Sequence, residues 1–441
     1  MQDFESLSRE ELITLLHQMA ERIAALEADN ERLRKDPPPG VARAVPSFVK
    51  ANRIPREKKV RKKRDHPHFR RRQEPTEVVV HEAENCPDCG RKLSGGWVHS
   101  SRQVIEIPET PIRITEHRTM AGWCGVCQKR RLARPDLSGE VVGGHTFGVR
   151  LMSLMGYMKT ICRMPVRTIQ ASLQSVYGLR ISTGEIVEVL HTIAREGEEH
   201  YAKLREAVQA SDYVHADETG WREDGENGYI WSISTPDIRY FERDKSRGHQ
   251  VPERILGPAY EGIIVSDFYG GYNYHLGLHQ RCWVHFLRDL HDLKEKCAGD
   301  AAVAEWVAQV TQVYEDAKAF ESGKKQVRVK ARERFQDRLV ALGQPYARTE
   351  AKQRVLAERI MRFSNELFTF VEHPQVPSEN NAAERAIRPG VIDRKVTGGT
   401  RSAKGSLTKS VLMSLFRTWE ARGLDVLETC RMMLANELAP G

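Results

Sequence analysis

The stretch Gly262-Ile263-Ile264-Val265-Ser266-Asp267-Phe268-Tyr269-Gly270-Gly271 narrows the possible folds more than any other in the chain. An apolar run bounded by glycine, carrying one carboxylate at its end, reads as a buried strand. Open α/β sheets place their chemistry at the carboxyl ends of such strands. Tyr213-Val214-His215-Ala216-Asp217-Glu218-Thr219-Gly220-Trp221 has the same character. The strand period of two puts Tyr213, His215 and Asp217 on one face and Val214 and Ala216 on the other. Two strands that each offer an aspartate suggest a shared metal site. For either strand alone, the alternative is an aspartate that caps a turn or a following helix.

Residues 211–285 are β-rich around these two stretches. Gly228–Ile233 and Ile238–Phe241 predict further strands, Pro252–Leu256 a short helix, and His279-Gln280-Arg281-Cys282-Trp283-Val284-His285 follows the Asp267 strand. Three sequential strands, a helix, and a fourth strand with the second acid match the order of the ribonuclease H-like fold. From Leu287 to Val371 the pattern is helical, with Trp306, Phe335 and Phe363 at apolar positions, and reads as an inserted bundle. Beyond it lies Ser378-Glu379-Asn380-Asn381-Ala382-Ala383-Glu384-Arg385-Ala386-Ile387-Arg388-Pro389.

At 441 residues the chain has room for about three domains. Residues 7–36 carry a heptad seam, with Leu12, Met19, Leu26 and Leu33 at d and Leu16, Ile23 and Asn30 at a. Leucine at d with one polar asparagine at a predicts a parallel two-stranded coiled coil, and hence a homodimer. The other reading is an amphipathic helix packed on the chain's own core. Pro37, Pro38, Pro39 and Gly40 stop that helix. Residues 50–72 then hold twelve basic side chains, among them Lys58, Lys59, Arg61, Lys62, Lys63, Arg64, Arg70, Arg71 and Arg72, against Glu57 and Asp65. This local excess exceeds the +8 of the whole chain, so the remainder is slightly acidic. An arm of this kind suits phosphate contacts with DNA by counterion release. A solvated linker or attraction to a membrane surface are the alternatives, and no amphipathic apolar face accompanies the run.

Cys86-Pro87-Asp88-Cys89-Gly90 and Cys124-Gly125-Val126-Cys127 form two C-x2-C knuckles, the signature of a closed tetrahedral zinc site. The interval between them can hold strands such as Gln103–Ile107. A redox role fits poorly without a thioredoxin-like frame, and His99 and His117 read as bystanders. Residues 145–197 are helical, with a glycine turn at Tyr177-Gly178-Leu179 and Ser182 or Thr183 as a cap. Helix, turn, helix is compatible with a DNA-reading helix-turn-helix or with plain helical packing. Hydrophobic residues make up 40% of the chain and charged residues 29%, as in soluble proteins. With no secretory apolar segment after Met1 and no bilayer-length apolar run, a cytoplasmic location is expected. The eight cysteines are then expected to be reduced or metal-bound.

Taken together, Asp217-Glu218-Thr219-Gly220-Trp221, Ser266-Asp267-Phe268-Tyr269-Gly270-Gly271-Tyr272, Gln280-Arg281-Cys282-Trp283-Val284-His285 and Asn380-Asn381-Ala382-Ala383-Glu384-Arg385-Ala386-Ile387-Arg388-Pro389 resemble the insertion-sequence-66 family of transposases, of the DDE type. The zinc knuckles and the coiled-coil start also match, and the likeness covers nearly the whole chain. The resemblance implies a ribonuclease H-like core in which Asp217, Asp267 and Glu384, separated by 50 and 117 residues, hold two Mg²⁺ (or Mn²⁺) ions. It implies a bacterial, nucleoid-associated enzyme acting on double-stranded terminal repeats and target DNA, with accessory proteins encoded by the same element as possible partners. After Arg394-Lys395 the sequence departs from the family: Val396-Thr397-Gly398-Gly399-Thr400 stands where an aromatic pair is usual.

Phosphodiester cleavage needs an activated nucleophile and a stabilised leaving oxygen, which paired hard cations on carboxylates supply. Asn381-x-x-Glu384 also resembles a helix-capping pair, and Glu379 and Glu218 are competing ligands. Arg385 and Arg388 could hold phosphate or form a solvated face. Cys282 and His285 could form a metal pair or be structural. A DNA-binding regulator without catalysis and a ribonuclease H-like nuclease are the rival functions.

The expected organisation is a coiled coil at 1–36, a basic arm at 37–78, a zinc ribbon at 79–140 and a helical DNA-binding domain at 141–205. A ribonuclease H-like core follows at 206–288 and 376–400, interrupted by a helical insertion at 289–375, with a helical tail at 401–441.

Overall fold

A computed structural model of the chain describes residues 21, 72–95, 97–105, 112–133 and 136–438. The coiled-coil seam and the basic arm up to residue 71 lie outside the described residues. The chain divides into two units, Met1–Ile107 and Pro108–Gly441. In the first, Gln103–Ile105, expected to begin a strand, have no strand pairing. A strand needs a partner to satisfy its backbone, and a β-branched run supplies only the propensity. In the second, β1 (Ala121–Cys124) and β2 (Lys129–Leu132) form an antiparallel hairpin around the second cysteine pair.

Four helices follow: α1 (Val149–Thr160), α2 (Val166–Tyr177), α3 (Thr183–Glu196) and α4 (Glu198–Gln209). Gly178 ends α2 with a left-handed φ of 67°. Ser182 starts α3 through a reciprocal capping box with Glu185.

The sheet contains β3 (Tyr213–Glu223), β4 (Glu226–Ser234), β5 (Arg239–Asp244), β6 (Ile263–Ser266) and β7 (His279–Arg281), in the order β5-β4-β3-β6-β7. Asp224-Gly225, both at positive φ, make the two-residue turn that joins β3 to β4. The first three strands are antiparallel, and β3, β6 and β7 are parallel. The short helix α5 (Gln250–Leu256) crosses from β5 to β6. Such a mixed α/β arrangement is compatible with a ribonuclease H-like core. Val214, Ala216 and also His215 are buried, so β3 is covered on both faces, as its central place requires.

After β7 come α6 (Trp283–Lys296), α7 (Ala301–Lys318), α8 (Lys325–Gly343), α9 (Arg354–Phe363) and α10 (Thr369–Glu372). They enclose their own core of Trp283, Phe286, Trp306, Phe335 and Phe368. Then follow α11 (Asn381–Thr397), α12 (Ala403–Ala421) and α13 (Val426–Leu434).

Helix α12 is part of the main core through Leu412, Leu415, Phe416 and Trp419. It also closes the β5 edge of the sheet. Ser410, Ser414 and Thr418 accept the backbone N–H groups of Arg243, Phe241 and Arg239 at 3.2, 2.8 and 3.0 Å. Four residues of helix advance about 6 Å and two of strand about 6.8 Å, so one hydroxyl row meets one row of edge donors. An unpaired edge would otherwise invite association with another chain.

Candidate active site

Asp217 and Asp267 come together through strand register. β3 and β6 pair in parallel, Tyr213 with Ile263, Val214 with Ile264 and His215 with Val265. The offset is the same 50 residues that separate the two aspartates, so the register, carried two residues past the last pair, sets Asp217 beside Asp267, and the two charges interact. Neighbouring strands lie about 4.8 Å apart. The capping role weighed for each aspartate is seen at Asp267, which precedes a turn, and not at Asp217, which lies inside β3. Asp217 Oδ1 accepts the Glu218 N–H and Asp267 Oδ1 accepts the Tyr269 N–H, both at 2.9 Å.

Glu384 arrives from far along the chain, and Asn380 holds it there. Asn380 is 2% exposed. Its Oδ1 is 2.9 Å from His215 Nδ1, its Nδ2 donates to the Ala216 carbonyl at 2.8 Å, and its N–H donates to Cys282 Sγ at 3.1 Å. The first turn of α11 is thereby fastened to β3 one residue before Asp217. Trp283 N–H donates to the Ser378 carbonyl at 3.0 Å, which ties the same segment to the start of α6. One turn into each helix, His285 Nε2 and Glu384 Oε1 stand 3.6 Å apart.

The capping reading of Glu384 does not describe this geometry. α11 begins after Asn380 with no side-chain cap, and Glu384 sits one residue past the position a capping box needs. Cys282 is buried and accepts a backbone hydrogen bond, while His285 turns to Glu384, so the two do not form a metal pair.

The site is strongly electronegative. Burial, then the charge of Glu218, then Asp267 and Glu384 push the Asp217 carboxyl up to about 7, against the pull of the Glu218 N–H. Glu218, a competing ligand by sequence, is raised by burial and restrained by the Tyr272 hydroxyl and Arg247. Tyr272 donates to its Oε2 at 2.6 Å and Arg247 to its Oε1 at 2.7 Å. Glu218 is therefore bound within the fold, whereas Glu384 is 42% exposed at its side chain. Among the described residues no three His, Cys, Asp or Glu side chains close to metal-binding distance. The three carboxylates nevertheless fit a divalent cation by chemistry: they are hard oxygen donors whose mutual repulsion a cation would relieve. Arg385 and Arg388 are exposed on α11 beyond Glu384.

Asn380, His215 and Arg247 were not singled out by sequence reasoning. The available signal was a polar residue inside an otherwise apolar strand or just before a helix. Since Asn380 orients the helix that carries Glu384, Asn380→Ala should lower any metal-dependent activity about 10–100-fold, as loss of a ligand-orienting partner does elsewhere. Comparing turnover at saturating metal with the metal concentration at half-maximal rate tests this. An unchanged metal requirement would refute it.

The cysteine knuckles share one local geometry. Cys86 N–H donates to the Arg91 carbonyl and Gly90 N–H to the Cys86 carbonyl, both at 2.8 Å. Burial opposes ionisation only weakly, and the backbone N–H groups of Cys89 and then Asp88 lower the Cys86 thiol. In the second knuckle, Cys127 N–H donates to Cys124 Sγ at 3.4 Å and lowers that thiol in turn. The residue after each second cysteine is left-handed: Gly90 at φ 72° and Gln128 at 47°. Arg72, the one described basic side chain of the arm, donates to the Ser101 hydroxyl and to its carbonyl at 2.7 Å.

A sequence profile described as "Transposase IS66 family" matches residues 144–407. An uncharacterized protein, y4jO, of Sinorhizobium fredii (strain NBRC 101917 / NGR234) is 29% identical over 163 residues. The match covers 37% of this chain and 49% of that protein, so the chain spans about half the length of the curated relative it matches.

Proposed function

The chain belongs to the IS66 family of transposases, and from that premise we propose that it cuts the 3′ ends of an insertion sequence by hydrolysis and joins each 3′-hydroxyl to target DNA. Asp217, Asp267 and Glu384 are the catalytic carboxylates on a ribonuclease H-like core. The observation that carries this reading is the electronegative cluster of Asp217 and Glu218 on β3, Asp267 just past β6 and Glu384, strong enough to move Asp217 to about 7. The three side chains would hold two Mg²⁺ or Mn²⁺ ions, whose chemistry is to activate the attacking oxygen and stabilise the leaving one. His285 orients Glu384. Arg385 and Arg388 bear on backbone phosphates, which guanidinium forks pair bidentately.

The basic arm from Lys58 to Arg72 contributes sequence-independent DNA affinity, α1–α3 read the element ends, and the N-terminal heptads pair two copies. The chain acts on DNA in the bacterial nucleoid; no described helix is long and apolar enough to cross a membrane. The test is cleavage of a supercoiled donor plasmid carrying the element's terminal repeats, with Mg²⁺ present. Nicks at the 3′ ends followed by strand joining are the expected products. Nicks without joining would indicate a nuclease.

Each cysteine knuckle is proposed as a zinc-ligating half-site, because its N–H groups favour the thiolate form that zinc takes. Protein purified without chelator should carry about one zinc per chain, and Cys86→Ser should lose it. Elemental analysis showing no zinc in the unaltered protein would refute the assignment.

A further inference from the structure

Arg281 ends β7 and is 1% exposed. A buried guanidinium is costly unless its donors are used, and here every nitrogen has a partner and four of the five N–H groups are taken. Nη1 donates to the Asp267 carbonyl at 2.9 Å and to Ser266 Oγ at 3.1 Å. Nη2 donates to Asn273 Oδ1 and Nε to Glu366 Oε2, both at 2.6 Å. The guanidinium carbon lies 5.0 Å from the centre of the Phe363 ring. Ser266 Oγ in turn donates to the Asp267 carbonyl at 2.9 Å, so that oxygen takes two donors. The next residue is held from the same side: Phe268 packs against Phe286 and Phe363, with Arg359 4.8 Å from its ring centre.

Phe363, Arg359 and Glu366 all belong to the helical insertion. Asp267 follows β6 directly and has only two residues between it and the Gly270-Gly271 turn, so its aim depends on what fixes its main chain. We propose that Arg281 is a positioning residue for Asp267, and that the insertion sets the direction of this carboxylate through Glu366 and Arg281. The inference rests on the reading of Asp267 as a metal ligand. It assigns the inserted bundle a part in the chemistry, where an insertion could otherwise serve only as a spacer or a DNA-contacting surface.

A cavity of about 300 Å³ beside this arginine supplies the means of testing it. Asn273, Arg281 and Glu366 line it, together with His279, Arg332 and Arg362. Arg281→Ala would extend the cavity to the hydrogen-bond partners the guanidinium leaves, and free guanidinium ion at millimolar concentration could take its place. The experiment is Mn²⁺ titration of the full-length protein followed by electron paramagnetic resonance, with Asp267→Asn identifying the relevant binding phase.

Arg281→Ala should weaken Mn²⁺ binding about 10–100-fold, and guanidinium should recover much of the loss while urea does not. Glu366→Gln should give a smaller loss in the same direction. Arg338→Ala, which breaks an exposed pair with Asp316 in the insertion, should change nothing. Unaltered Mn²⁺ affinity in folded Arg281→Ala would overturn the proposal. So would a loss in folded Arg281→Ala that guanidinium does not recover. Should Arg281→Ala not fold, Glu366→Gln decides alone, and wild-type affinity there overturns the proposal. Unaltered protein that takes up no Mn²⁺ would instead remove the metal-site reading itself, and this inference with it.

Discussion

Asp217→Asn, Asp267→Asn and Glu384→Gln should each lower end cleavage and strand joining by at least about 10³-fold, with binding to element ends retained. Each change keeps the side chain's shape and removes one negative charge from a cluster that acts as a unit. Double variants should therefore be no worse than singles, because a cage lacking one ligand is already inactive. Mn²⁺ should restore a little activity, since carboxylate and water oxygens suit it as they suit Mg²⁺.

The same cluster sets a pH dependence. Asp217 keeps its proton up to about 7 in the metal-free protein. A hard cation takes the ionised form, so the metal concentration needed for half-maximal rate should fall as pH rises from about 6 to 8. The effect on metal-free stability has the opposite direction. A carboxyl whose folded pKa is raised contributes stability that is full below its ordinary value near 3.8 and is lost as pH rises through about 7. Full activity of Glu384→Gln on supercoiled donor DNA would move the third ligand to another acid. Equal loss of DNA binding in all three variants would mean that they damage the fold.

Asp393→Ala should destabilise the protein by about 3–5 kcal/mol, the largest stability effect expected of a single charged residue here. Asp393 lies on α11, two and a half turns after Glu384, and is 1% exposed. It pairs with Lys159 of α1 at 3.3 Å and with Lys409 of α12. The Lys409 ammonium lies 5.6 Å from the centre of the Trp221 ring on β3. Burial, opposed by Asp393 and reinforced by Lys159, brings the Lys409 ammonium down to about 8. Two cations and one anion thus hold α1, α11 and α12 together behind the sheet.

Without the carboxylate, two buried ammonium groups face each other with nothing between them. Replacing Lys159, Asp393 and Lys409 together by apolar residues of similar volume should cost far less than the single change, because no uncompensated charge is left behind. Asp316→Asn, in an exposed pair, should cost less than about 1 kcal/mol. Urea unfolding of the three proteins makes the comparison. A loss below about 1 kcal/mol for Asp393→Ala would mean that solvent reaches this cluster.

The strands bearing Asp217 and Asp267, the intervening helix and the long helical insertion were legible in the sequence because each is a local pattern. An apolar run closed by glycines, a period of two or of 3.6, and an acid at a strand's end depend on neighbours only a few residues away. The 50-residue spacing of the aspartates was visible too, although only parallel pairing of β3 with β6 made it a shared level in one sheet. Family membership followed from the order of four short motifs and agrees with the profile match over 144–407.

What the sequence could not decide was carried by tertiary contacts, several of them more than a hundred residues apart. Glu384 could equally cap its own helix until Asn380 was found bonded to His215 and Ala216 across 165 and 164 positions. The departure at Val396-Thr397-Gly398-Gly399-Thr400 acquired a purpose only in three dimensions. Gly399, at φ 124°, passes so close to the Arg222 carbonyl that a β-carbon would stand 2.2 Å from that oxygen, and Thr400 then pairs with β3. Arg281 read as one basic residue in a short polar strand, and Asp393 as one more acid on a charged helix. Burial turns each into an obligatory partner: a charge removed from water must be matched by whatever the fold brings beside it. The chain order of residues states the charge but not the neighbour, so the local elements were determined by sequence and the assembly of the site by tertiary packing.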